Sequence, residues 1–396
     1  MSAATPRAPY RIWGDDLDPE AIAQMERACA LPVAHRGALM PDAHRGYGLP
    51  IGGVLATRGA VIPYAVGVDI ACRVKLTVVD LPPDELDQPR RLQQLRAAIE
   101  KETRFGIGAR FETPREHPVM DRDWTVSPVT ESLKDKARSQ LGTSGSGNHF
   151  VEFGVFEVGE RVAAELGVPA GRHLALLSHS GSRGAGAAVA SHYSKLARRL
   201  RPGLPKESAH LAWLDLDSEE GAEYWAAMQL MGEYAAANHA CIHRALHQRL
   251  GMETLLDVEN HHNFAWLEEH DGETLVVHRK GATPASRGAL GVIPGTMADP
   301  AYLVRGLGRE SSLASAAHGA GRVMSRTAAK KRLHWDDAHR TLDERRVTLI
   351  SAGLDEVPAV YKRIDEVMAA QSNLVETLGT FRPRLVKMAP GGRAED

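Results

Sequence analysis

The chain has 396 residues, 43% hydrophobic and 25% charged, an ordinary globular composition long enough for one large core or two domains. Its 48 Lys and Arg against 50 Asp and Glu give a formal charge of -2, which excludes a globally basic nucleic-acid binder and leaves any polyanion contact to local clusters. The apolar runs stop well short of a membrane span, no secretory signal pattern is present, and the odd, widely spaced Cys29, Cys72 and Cys241 exclude a disulfide scaffold, so a cytoplasmic protein with reduced thiols is expected.

Residues 1–11 read as a loose leader, and Asp18 caps a first helix over 19–30. Residues 40–53 crowd glycines with Asp42 and His44 into a segment too poor in apolar residues for a helix, which predicts turns and a close backbone approach. Residues 66–72 then set Asp69 and Cys72 three residues apart in a glycine-loosened turn, a spacing that lets both reach one metal centre. A strand over 73–80 follows, then a helix over 90–103, a solvated connection over 112–124 and a short charged helix over 131–140. Residues 141–149 form a glycine- and serine-rich loop able to turn N–H groups and hydroxyls toward an anion, and 150–158 alternate as a strand. An apolar strand over 173–177 stops at a small-residue turn, 178–184, before a helix over 187–200. Such a helix start offers free N–H groups to a phosphate, and Arg183 adds a fork of donors.

Residues 218–250 read as one long helix with His239, His243 and His247 at i, i+4 and i+8 on one face. The spacing resembles the helical His pairs of zinc enzymes, but Ala240 stands where a hydrolytic Glu would follow the first His, so a polar face lining a groove or the surface is expected. A strand over 255–264 contains His261 and His262, which point to opposite faces, so only one of them reaches a shared centre. Beyond a strand over 274–278 and a turn over 293–298 come His318 and a basic run, Arg326, Lys330, Lys331 and Arg332, the best local candidate for contacting a polyanion.

Seven short motifs now stand in order: Pro41-Asp42-Ala43-His44, Gly67-Val68-Asp69-Ile70-Ala71-Cys72, Gly147-Asn148-His149-Phe150, Ser178-His179-Ser180-Gly181-Ser182-Arg183-Gly184, His262-Asn263, Arg279-Lys280-Gly281 and His318-Gly319-Ala320-Gly321-Arg322. Together they resemble the RtcB family of GTP-dependent RNA ligases over about residues 41–387. The resemblance implies an α+β (mixed α/β) fold, a single compact domain over 1–396 with 1–11 and 388–396 as loose tails, and a central metal-binding cleft. It implies joining of RNA 3′-phosphate or 2′,3′-cyclic phosphate ends to 5′-hydroxyl ends, with GTP and a pair of Mn²⁺ ions; Zn²⁺ or Co²⁺ are possible substitutes. Asp69, Cys72, His149, His179 and His262 would be the metal ligands, Cys72 bridging both ions. His318 would carry GMP, oriented by Asp42. Asn148, Phe150, Glu152, Ala320, Gly321 and Lys387 would surround the guanine nucleotide, with Arg183, Arg322 and Arg326 near the phosphates and the RNA.

The chain also departs from the family pattern. Gly295-Thr296-Met297-Ala298 and Ala301-Tyr302 replace a usual Gly-Ser-Met-Gly and Ser-Tyr, and the missing hydroxyl at Ala301 removes a possible nucleotide contact worth about 0.5–1.5 kcal/mol. Two other functions fit the same residues: a metal-dependent phosphoesterase that never transfers GMP, and a non-catalytic RNA-binding subunit.

Overall fold

The structure is a computed structural model and describes residues 7–391. Its fold is mixed α and β, built on two largely antiparallel sheets. In the larger, of eight strands, the spatial order is Leu290–Ile293, Ala301–Gly306, Val375–Met388, Phe150–Val158, Gly171–Ser180, Arg73–Val79 and Thr254–His261, with Thr348–Ser351 parallel to Val375–Met388. Antiparallel pairing brings alternate strand ends together. Phe150 lies opposite His179, and Arg73 lies opposite both Ser180 and His261. The residues just outside these strands, His149, Cys72 and His262, therefore emerge beside His179 at one end of four neighbouring strands.

The second sheet runs Tyr10–Ile12, Ala34–His44, Ile51–Thr57, Glu273–Lys280 and Asn263–His270. The chain crosses from one sheet to the other at His262, between Thr254–His261 and Asn263–His270. Of the expected leader, residues 1–6 lie outside the described residues, while Tyr10 and Arg11 pair in parallel with Gly37 and Ala38. Of the expected tail, residues 392–396 lie outside the described residues, while Met388 ends a sheet strand and is buried together with Ala389.

The long helix, Glu219–Leu250, starts at Ser218, whose side chain accepts from Gly221 N, and ends at Gly251 in the left-handed conformation. It packs with Pro128–Gln140 and Arg183–Leu200 around a core in which Tyr193, Tyr224 and Tyr234 are fully buried. Residues 112–124 are less solvated than expected: Val119, Met120 and Trp124 are buried because the Trp124 ring meets Tyr234 edge-on and its Nε1 donates to Val119 O. No helix of the described residues is long and apolar enough to cross a membrane.

Candidate active site

Asp69 and Cys72 lie in a tight turn in which Ala71 takes φ +57°, a left-handed conformation that strains a residue with a side chain. The sheet junction fixes this turn. Ala71 N donates to Asn263 O at 2.7 Å, Asn263 Nδ2 to Asp69 O at 3.3 Å, and His262 N to Cys72 O at 3.0 Å. Cys72 Sγ then lies 3.3 Å from His149 Nε2 and 3.1 Å from His179 Nε2. His179 Nε2 is 3.2 Å from His262 Nε2, and Asp69 Oδ2 is 3.0 Å from His149 Nε2. Two donor groups result, Cys72 with His179 and His262 and Asp69 with Cys72 and His149, the atoms of each within 4.8 Å of one another. Cys72 belongs to both.

This donor set fits metal ions. Asn148 O, which can only accept, takes the proton of His179 Nδ1 at 3.0 Å, so the His179 Nε2 lone pair faces the cluster. Burial, then the charge of His149, pulls His179 down to about 3 and keeps it neutral. Burial alone would push Asp69 up, but the hydrogen bond and charge of His149, with Arg183 behind them, hold it at about 2. His262 Nδ1 is buried with no hydrogen-bond partner among the described residues, and Asp69 Oδ2, also buried, faces the His149 ring within the cluster. Gly181 makes room for the carboxylate, since a Cβ there would sit 2.2 Å from Asp69 Oδ2, and Ser182 N donates to Asp69 Oδ1 at 3.0 Å. Thiolate, imidazole and carboxylate together suit borderline to soft divalent cations.

Beside the cluster stands His318, its ring centroid 4.8 Å from that of His262. Its Nδ1 donates to Asp42 Oδ2 at 2.7 Å and its backbone N to the same oxygen at 3.2 Å. A carboxylate in that position fixes the proton on Nδ1 and leaves the Nε2 lone pair for chemistry. Asp42 is fully buried and projects from an irregular stretch of its strand, where pairing skips from Leu39–Gly53 to His44–Ile51. Gly321, at φ +74°, approaches so near that a Cβ would lie 2.1 Å from Asp42 O.

Two hollows meet at His318. A narrow one of about 110 Å³ is lined by Phe150, Glu152, Ala301 and Ala320 among others; an open cleft of about 820 Å³ lies on the other side. Asn148, His262, His318, Arg322 and Arg326 border both. In the narrow hollow, burial pushes the Glu152 carboxyl well above its ordinary range. Thr296 turns its hydroxyl to Asp299 Oδ2 at 2.7 Å. Lys387 faces the other way: Val386 and Met388 line the hollow, while Lys387 Nζ lies 5.3 Å from the Phe105 ring centroid. Arg183, buried and at φ +57°, stands behind His149, its Nε donating to Thr143 Oγ1 at 3.3 Å and its Nη1 lying 3.4 Å from His149 Nδ1.

Asp355 and Glu356 escaped the sequence reading, and Lys280 entered it only as part of a motif. Arg326 pairs with Asp355 at 3.2 Å and with Glu356, and Arg322 Nη2 donates to Asp355 O at 2.9 Å. Both carboxylates are buried; an acidic pair inside the apolar run 352–360 was their signal. Lys280, buried beside the cleft, is pulled down to about 7 by that burial, and its Nζ donates to Tyr47 O at 2.5 Å. Of the helical histidines, His247 stays half-exposed, whereas the other two line no groove or surface as expected. His239 and His243 are buried against the rear of the sheet, and both contact Ser178 Oγ, at 2.7 and 2.8 Å. Asn238 beside them accepts from Gly142 N at 2.6 Å and donates to Thr143 O at 2.7 Å, tying down the loop that leads to His149.

Similarity to known proteins is consistent with this geometry. A family profile described as "tRNA-splicing ligase RtcB" matches residues 24–123 and 114–388. The chain is 34% identical to an RNA-splicing ligase RtcB of Escherichia coli (strain K12), over 96% of this chain and 97% of that protein. It is 30% identical to a tRNA-splicing ligase RtcB of Thermococcus kodakarensis over 95% and 94%, and 32% identical to an RNA-splicing ligase RtcB of Mycobacterium tuberculosis over 89% and 95%. With end-to-end likeness to these relatives and the matching profile, the chain belongs to the RtcB family.

Proposed function

We propose that the protein is a GTP-dependent RNA ligase that joins an RNA 3′-phosphate or 2′,3′-cyclic phosphate end to a 5′-hydroxyl end through a guanylylated His318. The observation that carries this reading is the Asp42–His318 pair, 2.7 Å apart, set beside the five-donor cluster. His318 Nε2 attacks the α-phosphate of GTP, a P–N bond forms and pyrophosphate leaves, while Asp42 retains the Nδ1–H contact and steadies the positive charge that grows on the ring. A 2′,3′-cyclic end first takes up water, which breaks the P–O2′ bond and leaves a 3′-phosphate with a free 2′-hydroxyl; the labile phosphoramidate then passes GMP to the 3′-phosphate and frees His318. The 5′-hydroxyl attacks that activated phosphate, GMP departs, and a phosphodiester remains.

Asp69, Cys72, His149, His179 and His262 would hold Mn²⁺ ions, with Cys72 shared; Zn²⁺ or Co²⁺ would bind such donors more tightly, so availability sets the occupant. When bound, the cations supply charge neutralisation and orientation to the reacting phosphates. In the narrow hollow, Glu152 meets guanine donors, which favour its ionised form over the protonated one that burial imposes, and Phe150 gives the base an apolar wall. Asn148, Ala320 and Gly321 complete the nucleotide contacts, and Arg322 and Arg326 serve the phosphates. Arg183 acts through His149, and Lys387 takes no part, because its side chain faces away.

Incubation with α-labelled GTP and Mn²⁺ tests the reading. Acid-labile label on the protein, absent from His318→Ala, is expected. GTP or cyclic-phosphate turnover with no label on the protein would replace the ligase by a phosphoesterase.

A further inference from the structure

Among the large hydrophobic side chains that the described residues expose, Tyr47 is the most open, at 66%, and it lines the wide cleft. An exposed ring on a slack loop would call for no explanation, but this loop is pinned at every step. Gln24, itself buried, grips both backbone groups of Gly46: its Nε2 donates to Gly46 O at 2.6 Å and its Oε1 accepts from Gly46 N at 3.0 Å. Arg45 N donates to Asp18 Oδ2 at 3.2 Å, and Lys280 Nζ donates to Tyr47 O. Gly48, at φ +71°, packs so tightly that a Cβ would lie 2.8 Å from His210 O. The His210 ring props Tyr47 edge-on, centroids 5.8 Å apart, and is itself met edge-on by Tyr64 at 4.6 Å. The fold thus fixes the backbone on both sides of an aromatic ring and leaves the ring in solvent, where the hydrophobic effect opposes it.

The surroundings say what would cover it. The same cleft reaches Cys72, Asp69 and His318, and Arg45 and Lys362 also line it. A planar, sequence-tolerant surface in a cleft that carries Arg45 and Lys362 as well as Asp16 and Asp18, and that leads to the cluster beside His318, matches a nucleobase. We propose that Tyr47 is a stacking platform for one base of the single-stranded RNA end whose terminal phosphate reaches His318. Every base has a π face, so this subsite governs affinity and strand register and leaves sequence unread. The identity of the strand rests on the ligase reading; the platform itself is tested by binding alone.

The test uses full-length protein and a fluorescently labelled single-stranded RNA ending in a 3′-phosphate, with anisotropy read in the absence of GTP. Tyr47→Ala is expected to raise Kd about 10- to 100-fold, and Tyr47→Trp to hold it within about twofold. Abasic substitution, scanned along the strand, should find one position that costs the wild type a similar factor and costs Tyr47→Ala nothing. Unchanged affinity in Tyr47→Ala, or an abasic scan that wild type and variant feel equally at every position, overturns the proposal. The melting temperature of the variant separates lost stacking from lost fold; if the alanine variant does not fold, Tyr47→Leu, which keeps bulk and loses the π face, decides instead, a rise in Kd of about 10-fold or more being expected and unchanged affinity overturning the proposal. Wild-type protein that passes this test yet takes up no label from GTP would defeat the ligase reading and leave the platform standing.

Discussion

Along the strand Gly171–Ser180, His179 turns toward the donor cluster while Ser178 turns toward the long helix, and buried histidines gather on both sides. Behind the strand each ring nitrogen of His239 and His243 has a protein partner. His239 Nε2 must donate to Ser180 O, at 3.1 Å, so Nδ1 accepts the Ser178 hydroxyl proton; His243 Nε2 then donates to Ser178, and Nδ1 lies 2.8 Å from Thr77 Oγ1, which itself donates to Asp257 Oδ1 at 2.9 Å. In front, His179 carries its proton on Nδ1, toward Asn148 O, and turns its Nε2 lone pair to His262 Nε2 at 3.2 Å and Cys72 Sγ at 3.1 Å. The second ring nitrogen is what separates a structural imidazole from a ligand. Helical spacing is blind to it.

The largest expected effect sharpens this contrast. Cys72→Ala removes the atom shared by both donor groups, so Mn²⁺ affinity, read by electron paramagnetic resonance, should fall beyond the roughly 10–100-fold that losing an outer support costs. In the metal-free protein the same change should cost little stability. His239→Ala should behave in the opposite way, lowering the urea midpoint by about 2–4 kcal/mol of stability with metal stoichiometry kept. Swapped outcomes would break the distinction between the two faces.

Acid provides a second comparison. Burial pulls His239 and His243 well below the ordinary range and His278 to about 4. His278 is held neutral by Ile62 N, which donates to its Nε2, and by Leu55 O, which accepts from its Nδ1. Between pH 6.5 and 4 the unfolded chain therefore binds protons that the folded one refuses, so stability is full above about 6.5 and declines as pH falls. His278 alone accounts for about 3 kcal/mol by pH 4. Urea midpoints of metal-free protein should be lower at pH 5 than at pH 7.5; an equal or higher value at pH 5 would show that these rings are not held neutral. The smallest effect concerns Lys387. Lys387→Ala should change the apparent affinity for GTP, read by protein labelling, by less than about twofold, since only a contact with Phe105 is lost. A tenfold loss would mean that the side chain reaches the nucleotide.

Much of the site was legible because its donors sit in glycine-rich turns with recognisable residues, and because helix starts such as Asp18 and Ser218 announce themselves through capping. The rear histidines were misjudged since periodicity places them on one helix face without saying what that face meets. Facing along Val375–Met388 could not be read by counting alternate residues, because register shifts between Pro383 and Leu385. Asp355 and Glu356 went unnoticed because their value lies in Arg322 and Arg326, some thirty residues earlier in the chain.

The donors come from the ends of four adjacent strands that are remote in sequence, from Asp69 to His262. During synthesis, then, a growing chain offers incomplete sites until the strand bearing His262 has left the ribosome and docked beside Arg73–Val79. For a cluster that takes cations, capture would be a checkpoint on topology: a chain with that strand unpaired or out of register would have nowhere to load a full complement, and metalation would report completed assembly.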